Sequence, residues 1–350
     1  MEDYKKKILN YTYRSTNKIM LLVIFASIPG MCTQLYFFGY GVCIQIFLSI
    51  FFSILFEIFI KILRKQNVKQ VFFDNSATLT GVLIGVSLPS LSPWWLSCLG
   101  SFFSIIIAKQ IYGGLGNNIF NPAMCGYAIL LISFPILMTN WSFQNSCYFN
   151  LFNLYDVLSV IFFTDMKTYL SIIDKLQISH EFVTQATPLE MVRTNFLYFK
   201  NIYLLFNLDY SFQCWKWILI NISFLLGGII LLFLNVICWR IPVSILLTLF
   251  IFSMLDCYLC ESNMYFSFFQ LFFGSTMLSA FFIATDPVTT SITNVGRVIF
   301  GIMIGFLVWL IRTFGGYPDA IAFSILLSNS IVPLLDYYIQ PRVYGYVKKK

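Results

Sequence analysis

Ten apolar runs, set apart by polar turns, constrain this chain more than any other feature. They cover residues 20–38, 43–60, 77–91, 94–108, 122–138, 217–239, 241–255, 266–285, 298–311 and 320–335. An apolar run of ~20 residues is long enough to cross a bilayer as a helix. Charged residues make up only 11% of the 350, against roughly 25% in a soluble domain. That is too few to clothe a water-soluble fold of this size. Aromatic residues reach 19%, with 39 Phe, an excess that lipid tolerates and water does not. The sequence therefore predicts an all-α polytopic membrane protein with about ten transmembrane helices. Several runs fall short of ~20 residues, which predicts broken or re-entrant helices among them. No small-residue cleavage site follows the first run, so it reads as a retained span and not a signal peptide.

Lys and Arg set the expected orientation. With the N-terminus in the cytoplasm and the runs alternating, Lys167, Lys175, Arg193, Lys200, Lys216 and Arg312 fall outside and the other sixteen of the 22 fall inside. Both termini are then expected in the cytoplasm, and the long interval between the fifth and sixth runs on the outer, periplasmic face. The net charge of +7 comes from short clusters beside apolar runs. They orient spans and give no reason to expect nucleic acid.

An internal repeat divides the chain. Asn121-Pro-Ala-Met-Cys-Gly-Tyr-Ala-Ile-Leu-Leu-Ile-Ser133 aligns with Tyr317-Pro-Asp-Ala-Ile-Ala-Phe-Ser-Ile-Leu-Leu-Ser-Asn329, and each follows a glycine pair, Gly113-Gly114 and Gly315-Gly316. Ser76-Ala-Thr-Leu-Thr-Gly81 pairs more weakly with Ser275-Thr-Met-Leu-Ser-Ala280. The orientation puts the members of each pair on opposite faces, the mark of two inverted five-helix repeats. The expected division is 1–139 for the first membrane repeat, 140–214 for an outer-face loop region and 215–350 for the second. Pro122 and Pro318 suit the first turn of a helix, whose positive end would point into the protein.

Residues able to carry chemistry are few. Glu57, Asp74, Asp286 and Asp319 lie at or near span ends. There they read as caps or interfacial charges, with ion or proton handling as the sharper alternative. Cys257 and Cys260 are the one close pair of the nine Cys, and His180 is the one His. No metal site is expected from that set. No P-loop, GxGxxG, GxSxG or HExxH is present, and the hydroxyls of Thr184 and Thr187 in the long interval name no cofactor by themselves.

Three segments carry a resemblance: Asp74-Asn-Ser-Ala-Thr-Leu-Thr-Gly81, then Pro93-Trp-Trp95, then Ala108-Lys-Gln-Ile-Tyr-Gly-Gly-Leu-Gly-Asn-Asn118 running on through Phe120-Asn-Pro-Ala123. Over nearly its whole length the chain resembles the RnfD component of the Rnf (Rsx) ion-translocating electron transport complexes. The related NqrB component belongs to the sodium-pumping NADH:quinone reductases. The resemblance implies a flavin mononucleotide (FMN) joined through its phosphate to a threonine. The matching stretch is Thr184-Gln185-Ala186-Thr187, with Thr187 as acceptor and Gln185 where glycine is common. It also implies a non-covalent riboflavin within the spans and a bacterial inner-membrane location. The implied partners are the other components of the complex, among them a second covalent-flavin protein. The function so implied is electron relay between ferredoxin and NADH pools, coupled to cation movement. Two other readings fit the residues: an inverted-repeat solute or ion channel with no redox cofactor, and a scaffold component that has lost its flavin.

Overall fold

A computed structural model describes residues 15–68, 71, 74–139, 141, 154–163, 208–259, 270–317 and 319–340. Among them every regular element is helical, and five helices are long and apolar enough to cross a membrane. The protein is a multi-pass membrane protein.

Helix α1 (Thr16–Phe38) and α2 (Tyr40–Leu63) are 23 and 24 residues long, about 35 Å each at ~1.5 Å per residue. A single residue turns one into the other. Gly39, at φ 73° and ψ −166°, occupies backbone space that residues with a Cβ avoid. Helix α3 (Ser76–Ser87) has 12 residues, about 18 Å, and cannot cross. Helix α4 (Trp94–Phe102) continues into a π-helical stretch, Phe103–Gln110. Then come α5 (Pro122–Ser133), a short α6 (Pro135–Thr139) and α7 (Leu154–Phe163). The remaining helices are α8 (Leu208–Phe233), α9 (Arg240–Leu259), α10 (Thr276–Leu278), α11 (Asn294–Phe314) and α12 (Ile321–Tyr338). A π-helical turn, Ser279–Ile283, follows α10.

Helices α3 and α5, 12 residues each, are shorter than a straight span needs. Helix α7 refines the expectation for 140–214, which the sequence presents as an outer-face loop region. Within that interval Val157, Val160 and Ile161 are buried against Leu48 of α2. The core unites the two ends of the chain. Residues of α1, α3 and α5 pack in one cluster with residues of α8, α10 and α12.

Helix α2 is inside-out. Gln45, Ser49, Ser53, Glu57 and Lys61, four residues apart, are buried, while Phe47, Phe51, Leu55 and Phe59 are exposed. A fourfold spacing keeps one face of a helix. Here the polar face points inward and the apolar face outward, as lipid requires. Its partner is α4, lying parallel in a constant register of 52 residues. Ser97 donates to Gln45, Ser101 to the Ser49 carbonyl at 3.2 Å, and Lys109 to Glu57 at 2.7 Å.

Candidate functional site

Two cavities lie between the halves. The first holds about 860 Å³ of empty space and is walled by Trp141, Trp217, Phe224 and Tyr127, with Gln34, Asn221, Ser275 and Asp319 among its polar members. Helices α1, α5, α8 and α12 each supply a wall residue. Phe38, Trp141 and Trp217 form one aromatic cluster, with ring centroids 5.3, 5.5 and 5.7 Å apart.

Its polar groups divide sharply. The Asn221 amide is fully engaged. It donates to the carbonyls of Trp217, Phe272 and Gly274 at 3.0, 2.7 and 2.8 Å, and it accepts from the Met277 N–H at 3.3 Å. Ser275 donates to Asp319 Oδ2 at 2.8 Å, and the Ile321 N–H faces the same carboxylate. Two acceptors, Asp319 Oδ1 and Gln34 Oε1, are buried without a hydrogen-bond partner. Behind this wall Arg312 is buried and donates to the carbonyls of Gln270 and Phe273 at 2.8 and 3.4 Å. It thereby ties down the loop that carries Gly274 and Ser275.

The second cavity, about 720 Å³, is lined by Ser76, Thr80, Lys109, Asn118, Asn121, Thr285 and Asp286 among apolar residues. Lys109, 1% exposed, bridges Glu57 at 2.7 Å and Ser76 Oγ at 2.8 Å. Lys61 approaches Glu57 at 3.8 Å, and Gln110 donates to it at 3.4 Å. Asp74 and Asp286 both lie within Coulombic range of Lys109. Buried charges persist where they are paired and hydrogen-bonded; Glu57 and Lys109 meet that condition.

The cavities stand back to back. Asn121 caps α5, its Oδ1 accepting from the Ala123 and Met124 N–H groups at 3.1 and 3.3 Å. Its Nδ2 donates to the Ile283 carbonyl at 3.1 Å. Asn121 and Phe282 face the second cavity; Met124 and Ile283 face the first.

Pro122 takes the first position of α5, as its fixed φ and missing N–H favour. Pro318, His180, Thr184, Gln185, Ala186, Thr187 and Cys260 lie outside the described residues. Of the four carboxylates, Glu57, Asp74 and Asp286 gather around one lysine, and Asp319 stands in the other cavity. Two expectations are corrected. The charge count treats Lys109 and Arg312 as interfacial, one on each face, yet both are buried in helix packing. Sequence order hides the Glu57–Lys109 pair because 52 residues separate its members. The fourfold polar spacing in α2 is the signal that points to it.

Residues 9–345 match the model of the NQR2, RnfD, RnfE family. The chain is 67% identical over 344 residues to the D component of the ion-translocating oxidoreductase complex of Buchnera aphidicola subsp. Baizongia pistaciae, covering 97% of each chain. It is 46% identical over 352 residues to the protein of the same name in Erwinia tasmaniensis, covering 97% of this chain and 98% of that one. With its counterpart in Escherichia coli K12 the identity is 45% over 351 residues, covering 97% of each.

Proposed function

The chain belongs to the NQR2, RnfD, RnfE family, and from that membership we propose that it is the membrane flavoprotein component of an ion-translocating oxidoreductase complex. It works with the other components, including a second covalent-flavin protein, in a bacterial inner membrane. It relays electrons between ferredoxin and NADH pools, coupled to cation movement. Its FMN is attached at Thr187, and the isoalloxazine ring enters the first cavity.

One observation carries this reading. Trp141, before α7, and Trp217, on the helix that follows the Thr187 interval, both wall the first cavity, with rings 5.5 Å apart. The stretch that contains Thr187 ends where α8 begins, at Leu208, and α8 carries Trp217, Ile220 and Phe224 into the wall of the first cavity. The residues present suit a flavin ring. Ligand sites are mostly apolar with few polar groups, as this wall is. The aromatic wall offers stacking partners, and Gln34 Oε1 and Asp319 Oδ1 offer buried acceptors. A bound flavin supplies electron acceptance and donation; the chain's walls exclude water and fix the ring's orientation. A non-covalent riboflavin is a further part of this proposal, with no residues assigned to it.

The architecture we propose is two inverted five-helix repeats, 1–139 and 215–350, joined by the periplasmic region 140–214, with both termini cytoplasmic. The paired sequence motifs support it, and Asn121 and Pro122 open α5 as the first of those motifs leads one to expect. A channel without a cofactor would share these features but has no use for the Thr187 interval.

Intact-mass measurement tests the assignment. The chain should exceed its sequence mass by one FMN residue, and its band should fluoresce yellow after denaturing electrophoresis. Thr187→Ala should lose both signals. A bare mass for the unaltered chain would overturn the flavoprotein reading, and fluorescence surviving in Thr187→Ala would overturn the site.

A further inference from the structure

We propose that Asp319 is a specificity-determining anion of the first cavity: its free Oδ1 accepts from an N–H of the flavin ring, and its charge lowers the ring's affinity for an electron. The proposal rests on the reading of that cavity as the flavin's.

Three observations converge on this residue. First, a buried acceptor left unpartnered is costly, of order 1–3 kcal/mol in proteins, and one that belongs to a cavity wall has room beside it for a partner. Asp319 Oδ1 and Gln34 Oε1 are both in that condition and both belong to the cavity wall. Second, two neighbouring polar side chains are committed. Asn221 commits its amide to three backbone carbonyls, and Ser275 gives its hydroxyl to Asp319 Oδ2. Asp319 Oδ1 and Gln34 Oε1 remain as acceptors, on a wall that also carries the Trp217 indole and the Tyr127 phenol, and the two acceptors suit a ligand that presents a donor. An isoalloxazine does so through its imide N–H. Third, the carboxylate is held in place. Ser275 fixes one oxygen, and Arg312 anchors the loop behind Ser275 through the Gln270 and Phe273 carbonyls while lying within Coulombic range of Asp319.

The electrostatic consequence follows from position. A fixed negative charge beside a ring in a water-poor, aromatic-walled cavity opposes the arrival of an electron, and the opposition is stronger there than in water. Asp319 thus discriminates twice, admitting donor-bearing rings and setting the ease of their reduction. Ser275 and Arg312 act through it as positioning residues.

The test is a redox titration of the purified full-length chain, with the Thr187→Ala chain as the optical blank. Asp319→Asn keeps the size and removes the charge. It should raise the equilibrium constant for one-electron uptake by about tenfold, a shift of ~59 mV in the positive direction. Asp319→Glu keeps the charge and should stay within about threefold of the original. A merely structural role predicts the reverse order, since Asn is isosteric and Glu adds a methylene. An unmoved potential in Asp319→Asn, or a Glu variant that moves as far, with flavin still attached, overturns the proposal. Should Asp319→Asn not fold, a tenfold shift in Asp319→Glu alone overturns it. Failure of the underlying reading looks different: the unaltered chain then carries no attached flavin.

Discussion

Glu57 is 2% exposed and faces Lys109 at 2.7 Å and Lys61 at 3.8 Å. Breaking a buried pair by removing one member costs about 3–5 kcal/mol, because a charge is left without compensation. Lys109→Met is therefore expected to lower the thermal midpoint of the detergent-purified chain sharply. Adding Glu57→Gln in that background should recover much of the loss. No recovery in the double variant would show that Lys109 matters for something other than this carboxylate. Little of this is legible in the sequence. Hydropathy averaged over a span registers Glu57 and Lys109 as isolated charges near run ends, and nothing local joins residues 52 apart. The positions of Pro122 and Asn121 are easier, since a helix start is a local event with local chemistry.

The elements divide into helices long enough to span and half-length helices. Helix α3 is buried along most of its length, and it lies on α2 through glycine. A Cβ at Gly81 would stand 2.7 Å from the Ile50 Cα, and one at Gly85 2.5 Å from the Ile46 Cα. Small residues let membrane helices approach at backbone distance. Gly81→Val is expected to destabilise by about 1–3 kcal/mol through overpacking, whereas Ile62→Val on the exposed face of α2 should be nearly silent. Comparable thermal midpoints for the two variants would refute the close-contact account. Apolar runs in the sequence locate α1, α2, α11 and α12 well. They do not separate crossing helices from half-length ones, because both are apolar and only partner contacts differ. Helix α7 escapes a hydropathy reading since its 10 residues sit in otherwise polar surroundings.

At the scale of the molecule, the exposed surface is the part most unlike a soluble protein's. Phe47, Phe59 and Phe233 are more than half exposed, which suits lipid or neighbouring proteins and would drive aggregation in water. The proposed orientation makes a testable division of that surface. In a cysteine-free background, Ser171→Cys should react with a membrane-impermeant thiol reagent in intact spheroplasts. Ser15→Cys should react only after permeabilisation. The opposite pattern would invert the proposed topology.

The hydrogen bond from Asn121 to the Ile283 carbonyl is the party wall of two rooms. Residues within a few positions of each other on α5 and on the Ser279–Ile283 turn look into different cavities. A molecule settled on one side leans on masonry whose other side is a neighbour's. A substitution at Asn121 that disturbs one tenant will therefore disturb the other, and its phenotype alone cannot tell which of them the residue touches. Assignments of ligands to either room need variants set deep within it, away from the shared wall.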